Sequence, residues 1–285
     1  MRIATVPVVL FAALALLSGC ASMAPLPRKA IELNRAGAAA MAAGDLETAE
    51  ARVALALEYN PRFTEAWVNL GLIEEQRGNF AIAGRDFVKA RDLNPDLPAP
   101  HHALGLLADH EGYFAEAETH YRAALKVDPG FAPSRINLGR RLFERGAFEE
   151  AREHFLRLTQ VAPEFPEGWT GLCETLLRLG REDDARAVLA RARDSFGPIP
   201  AVQLLDARLL LRHDAFAQAE QEIEPLTHLG DRHLASAALA WLAVARLGRG
   251  NVEGAVGAAE KATAIDPDDG VARYALRTAH AAGRR

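Results

Sequence analysis

The sequence has little cysteine, few aromatics and no excess of positive charge. Its two cysteines, Cys20 and Cys173, allow one disulfide at most, so the 285-residue chain cannot be a disulfide-stapled scaffold. Basic residues number 33 against 38 acidic ones, a formal net charge of −5. That balance disfavours general nucleic-acid binding, which depends on neutralising phosphates with Lys and Arg. Long hydrophobic runs are missing beyond the opening stretch Ile3–Leu17. Such a stretch reaches about 22 Å as a helix, short of the roughly 30 Å hydrocarbon core, so it does not read as a permanent membrane span.

Catalytic signatures are missing too. There is no G-x-S-x-G and no H-E-x-x-H; His110-Glu111 begins the zinc pattern, but Phe114 stands where its second histidine belongs. Gly248-x-Gly250 lacks the third glycine of a dinucleotide loop, because Gly254 comes one place late. Asp266-Pro267-Asp268-Asp269-Gly270 is one residue short of a calcium loop, and Arg277 takes the place of its closing glutamate. His101, His102, His110 and His120 cluster. His102 and His110 are two helical turns apart with no third ligand nearby, which reads as a solvated or peptide-contacting face and not as a metal site. The expectation is a chain without catalysis, cofactor or metal.

What is present begins with an address. Arg2, an apolar middle and small residues at the end make a secretory signal over residues 1–19. The run Leu17-Ser18-Gly19-Cys20 resembles the cleavage site of bacterial lipoproteins. The resemblance implies that the Cys20 thiol takes a diacylglycerol, that the signal is cut before it and that the new amine is acylated. Two or more acyl chains, palmitate among them, hold firmly where a single chain holds marginally. Ala21 implies, by the same resemblance, an outer-membrane lipid anchor facing the periplasm. Cleavage removes Arg2 and no acid, so 33 basic residues become 32 against 38 acidic ones, a net charge of −6. A lipidated Cys20 leaves Cys173 without a partner. Residues 20–29, with two prolines and no apolar period, read as a tether reaching about 30 Å at most.

The rest of the chain is periodic. Gly44, Gly78, Gly112, Gly146 and Gly180 are spaced by 34 residues; Asp214 takes the next slot and Gly250 follows after 36. Five residues after each comes an alanine: Ala49, Ala83, Ala117, Ala151, Ala185, Ala219 and Ala255. Pro61, Pro95, Pro129, Pro163 and Pro267 close five of the units. Residues 64–97 carry the fullest pattern, with Trp67, Leu70-Gly71, Gly78, Phe80, Ala83, Phe87, Ala90 and Pro95. This pattern resembles the tetratricopeptide repeat (TPR) family.

The resemblance implies an all-α chain, a right-handed superhelical solenoid of about seven helix-turn-helix repeats. They fall at 30–63, 64–97, 98–131, 132–165, 166–199, a degenerate 200–235, and 236–269, with a capping helix over 270–285. Gly37, Gly71, Gly105 and Gly139 sit where a Cβ would hold two helices apart, and Cys173 fills the same slot as a small packed residue. The turn glycines suit a left-handed residue after the first helix, and the closing prolines stop the second. The sixth repeat has Asp214 for the turn glycine, Pro225 inside its second helix and two extra residues, which predicts a local break near Pro225–Gly230.

In this family the first helix of each repeat lines the concave face. The resemblance places Val68, Leu72, Glu75 and Gln76 there, then His102, Leu106, Asp109 and His110, then Ile136, Arg140, Phe143 and Glu144, then Thr170, Glu174, Leu177 and Arg178. Val68, Leu72, Gln76, His102, Leu106, His110, Ile136, Arg140 and Phe143 form the expected partner-binding groove, with Leu72, Leu106, Ile136 and Phe143 as an exposed apolar stripe. Asn69 and Asn137 match the asparagine slot of the family's carboxylate clamp, but its basic slots hold Ala99, Ala103, Glu167 and Gly171, so the clamp is absent. The chain therefore reads as a lipid-anchored envelope scaffold without nucleic acid. Its protein partner would be a secretin, if it resembles the type IV pilus pilotins, or a peptidoglycan hydrolase or another motility or secretion subunit. A repeat module accessory to an enzyme of peptidoglycan metabolism or polysaccharide export is the other class.

Overall fold

The computed structural model describes residues 27–197 and 199–283. The signal, Cys20 and the tether up to residue 26 lie outside the described residues, as do Pro198 and Arg284–Arg285. The described residues form fifteen α-helices and one 3₁₀ turn, with no strand among them. Antiparallel pairs follow one another: α1 (Arg28–Ala42) with α2 (Leu46–Tyr59), α3 (Thr64–Gln76) with α4 (Phe80–Leu93), α5 (Pro98–His110) with α6 (Phe114–Val127), and α7 (Ala132–Glu144) with α8 (Phe148–Val161). Then come α9 (Pro166–Arg178) with α10 (Glu182–Phe196), α11 (Pro200–Arg212) with α12 (Phe216–Ile223), α13 (Arg232–Gly248) with α14 (Val252–Ile265), and a closing α15 (Gly270–Ala282). This is the seven-pair solenoid with a terminal helix that the period predicts.

The turns explain the glycine period. Gly78, like the glycines in the other turns, is left-handed, with φ of 82°. A Cβ there would meet nothing within 4 Å, so conformation, not space, selects glycine. Asp214 adopts the same state, with φ of 57°, and is the non-glycine exception among the described residues.

The glycines inside the first helices answer to space instead. A Cβ on Gly71 would fall 2.4 Å from the Phe87 ring, and one on Gly105 would fall 2.5 Å from the Tyr121 ring. Each aromatic of a second helix is thus received by a glycine on its partner helix, and Phe87 and Tyr121 are wholly buried. Cys173, fully buried in the equivalent slot, has its thiol pKa pushed up to about 12 by burial, which leaves it a packed apolar group.

The closing prolines do more than end helices. Trp67 Nε1 donates to the Pro61 carbonyl at 2.9 Å, and Trp169 Nε1 donates to that of Pro163 at 2.9 Å. His101 Nε2 donates to the Pro95 carbonyl at 3.0 Å, and Arg135 donates to that of Pro129. Three kinds of side chain at four linkers meet one requirement: a donor that ties the linker to the helix it enters.

At the degenerate repeat α12 stops at Ile223 and a 3₁₀ turn covers Glu224–His228. Pro225 has no N–H to give to the preceding turn, so the helix tightens there. The core nevertheless continues, because Leu226 is buried against Ile223, Leu204 and Leu242. α13 begins at Arg232, ahead of the boundary at 236, because Asp231 caps it by accepting from the N–H of His233 at 2.9 Å and of Leu234 at 3.1 Å.

Candidate functional site

Polar pairs join successive first helices. Asn69 Nδ2 donates to Asn34 Oδ1 at 2.8 Å, linking α3 to α1. His102 Nδ1 and Ser134 Oγ share a hydrogen bond of 3.0 Å between α5 and α7. Arg208 Nη1 donates to Glu174 Oε1 at 2.6 Å between α11 and α9. The last of these pairs lies in an open cleft of about 500 Å³. The cleft is lined by the first helices α9, α11 and α13 and by Val271 of α15, with no residue of a second helix among its walls.

The cleft has an apolar floor and charged sides. Leu204 and Leu205 form part of its floor, and Trp241 of α13 stands across from them. The Arg208 guanidinium lies 4.9 Å from the centre of the Trp241 ring while it holds Glu174, so one cation is fixed from two directions. Arg178 sits over the Phe143 ring at 5.6 Å, extending the row of aromatic and cationic groups onto α7. The arrangement offers shape, an apolar surface and pre-positioned guanidinium donors. No metal-capable group of His, Cys, Asp and Glu occurs among the described residues, and none of their helices is long and apolar enough to cross a membrane.

The expected groove further toward the N-terminus differs in exposure. Val68 is only 8% exposed. Leu72 packs beside the Phe87 and Leu104 cluster, and Ile136 beside Leu158. Leu106 and Phe143 pack onto the cluster around Tyr121 and Leu142. The apolar stripe is therefore partly covered by neighbouring repeats and is not the exposed strip expected from the sequence. Nor do His102 and His110 share a surface. His102 lies against Tyr121 and Phe131, with ring centres 5.7 and 5.6 Å away, and burial pulls its pKa down to about 4, so it is neutral. His110 stacks on Phe80 at 4.1 Å. Gln76, His110 and Arg140 are the exposed members of the set.

Thr170, Glu174 and Arg178 line the cleft as repeat position implies, and Leu204, Arg208, Trp241 and Val271 join them from helices outside the expected groove. One signal for them is in the chain: Glu174 and Arg208 are opposite charges one 34-residue period apart, at equivalent inward positions. Trp241 gave no such signal: it stands nine residues before Gly250, as Asn137 stands before Gly146, and that slot is not among the expected groove positions.

Two family models, both described as Tetratricopeptide repeat, match the chain. One covers residues 110–170 and 142–205, the other 34–98 and 204–270. The chain belongs to the tetratricopeptide repeat family. No curated protein matches it by sequence. Among solved TPR structures, it is similar to a tetratricopeptide repeat protein from Parabacteroides merdae, at 17% identity and a TM-score of 0.66, over 89% of this chain and 100% of that one. It is also similar to PilF of Pseudomonas aeruginosa, at 22% identity and a TM-score of 0.59, over 76% and 96% of the two chains. At these identities the likeness is one of fold. TPR proteins act as protein–protein interaction scaffolds.

Proposed function

We propose that this protein is a non-catalytic scaffold of the bacterial envelope that captures an extended segment of another protein in the cleft across α9, α11 and α13. The observation that carries the reading is Arg208, held between Glu174 and Trp241 over an apolar floor. A guanidinium fixed in advance loses little freedom on binding, and an adjoining aromatic face supplies contact area. Gln76, His110, Arg140 and the partly covered Leu72 and Phe143 extend the concave row, so a longer partner would run on toward α3.

Lipid on Cys20 would keep this scaffold at the outer membrane, facing the periplasm, and the short tether would hold the cleft near the bilayer. Within that setting the proposed role is that of a pilotin, assisting secretin assembly in the type IV pilus. The support is the Leu17–Cys20 site and a TPR array that begins almost at the cysteine.

Co-purification from detergent-solubilised envelope tests both levels. A secretin recovered with the wild-type chain, and lost with Ala201→Arg, which fills the cleft, is the expected result. Recovery of a wall hydrolase or another secretion subunit, lost in the same way, would keep the scaffold and replace the pilus role. Equal recovery with both chains would place the binding face elsewhere. Cys20→Ala should release the protein into the soluble fraction; retention in the membrane would contradict lipid anchoring.

A further inference from the structure

We infer that the segment received by this cleft is acidic, presenting Asp or Glu side chains among apolar residues. The inference rests on the proposed use of the cleft and adds the chemistry of its occupant. The formal charges of the walls balance, with Arg178 and Arg208 against Glu174 and Asp231. Their engagements do not. Glu174 accepts from Arg208, and Asp231 accepts from the first N–H groups of α13, so both acids already serve donors of the protein itself.

The second guanidinium is in a different state. Arg178 is exposed, rests on Phe143 and forms no ion pair among the described residues. Arg208 donates one N–H to Glu174 and stacks on Trp241, so the two form a neutral pair with spare donors on one side and Glu174 Oε2 spare on the other. Of the four charged wall groups, Arg178 alone has no ion-pair or hydrogen-bond partner among the described residues, so the unmatched charge of the cleft is positive. Leu204, Leu205 and Trp241 lie between and beside the two cations, so the complement is carboxylate interleaved with apolar side chains.

The carboxylates are assigned to side chains and not to a chain terminus. The row of inward groups continues past Arg178 to Phe143 and the exposed Arg140, so an occupant can cross the cleft without ending in it.

The test is a library of random peptides, displayed with amidated C-termini and probed with the full chain, its Arg178→Gln variant and its Ala201→Arg variant. Enrichment of peptides rich in Asp or Glu with Leu or aromatic residues is expected. Their binding should fall about tenfold or more in Arg178→Gln, weaken with salt and disappear in Ala201→Arg. Circular dichroism should show Arg178→Gln folded, since the side chain is exposed. Peptides that need the open cleft but carry no acid, or ignore Arg178, would overturn the acidic assignment and leave the cleft in use. Peptides indifferent to Ala201→Arg would overturn both. Enrichment seen only with free C-termini would overturn the side-chain assignment, and an absence of enrichment would overturn the inference, leaving the cleft to be judged by co-purification.

Discussion

Arg208 Nη1 lies 2.6 Å from Glu174 Oε1, and the two residues occupy the same inward position one repeat apart. The pair joins α9 to α11 where the second helices give the cleft no wall. Both side chains are partly exposed, at 21% and 37%, so the pair contributes modestly to stability. A double-mutant cycle of Glu174→Gln and Arg208→Gln, followed by urea unfolding, should give a coupling of about 0.5–1 kcal/mol that shrinks in high salt. A coupling that ignores salt would mean the pair is more shielded than its exposure implies.

Gly105→Ala should be costly. The new Cβ would fall 2.5 Å from the buried Tyr121 ring, which cannot yield without moving α6. Overpacking of this kind costs about 1–3 kcal/mol. Chemical denaturation measures it, and a neutral outcome would show that the α5–α6 pair is looser than the ring contact requires.

Asp214→Gly should stabilise the array by about 0.5–1 kcal/mol. Asp214 is held at φ of 57°, a state in which the other turns place glycine. Thermal unfolding should show a higher Tm, whereas a lower one would mean that the Asp214 side chain contributes more than its backbone costs.

Asp86 makes stability depend on pH. It is 9% exposed, and its Oδ2 has no hydrogen-bond partner among the described residues. Burial first, and the nearby Glu74 second, raise its pKa to about 6, against a smaller lowering by Arg85. Between the unfolded value near 3.8 and about 6 the native chain binds more protons than the unfolded one, so this contribution to stability is present at low pH and lost as pH rises through about 6. Asp86→Asn should therefore be more stable than wild type at pH 8, by about 1–3 kcal/mol, with the difference closing toward pH 4. Comparing the two chains isolates this group from carboxylates such as Glu150, whose pKa is lowered by its hydrogen bond from Arg122 and whose contribution runs the other way. A difference that stays constant with pH would contradict the assignment.

Glu118 is buried and engaged by two guanidiniums, Arg122 at 2.9 Å and Arg145 at 3.0 Å, which tie the third repeat to the fourth. In Glu118→Ala both half-exposed cations keep Glu150 as a partner, so the loss should be about 1 kcal/mol in urea unfolding. A loss below about 0.5 kcal/mol would show that water serves those cations as well as the carboxylate does.

The array was legible because its repeat residues carry steric instructions. Gly78 encodes a left-handed turn, Gly105 a close approach and Pro95 a helix end, and each leaves a mark in sequence whatever surrounds it. The cleft was only half legible. Thr170, Glu174 and Arg178 follow from repeat position, but Trp241 takes the slot that Asn69 and Asn137 hold in their repeats, which is not among the expected groove positions. Exposure was the least legible property. Val68 and Leu106 are apolar at inward positions, and nothing in their identity says that a neighbouring repeat will cover them. The sequence places His102 on an open face, yet Tyr121 of α6 and Phe131 and Ser134 at the start of α7 enclose it.

The most direct measurement is photocrosslinking in intact cells, with a photoreactive residue placed either at position 241 in the cleft or at position 156, an exposed leucine on the second helix α8. A discrete partner crosslinked from 241 and not from 156 is the result predicted here. Crosslinks from 156 with none from 241 would contradict the cleft as the working surface of this protein.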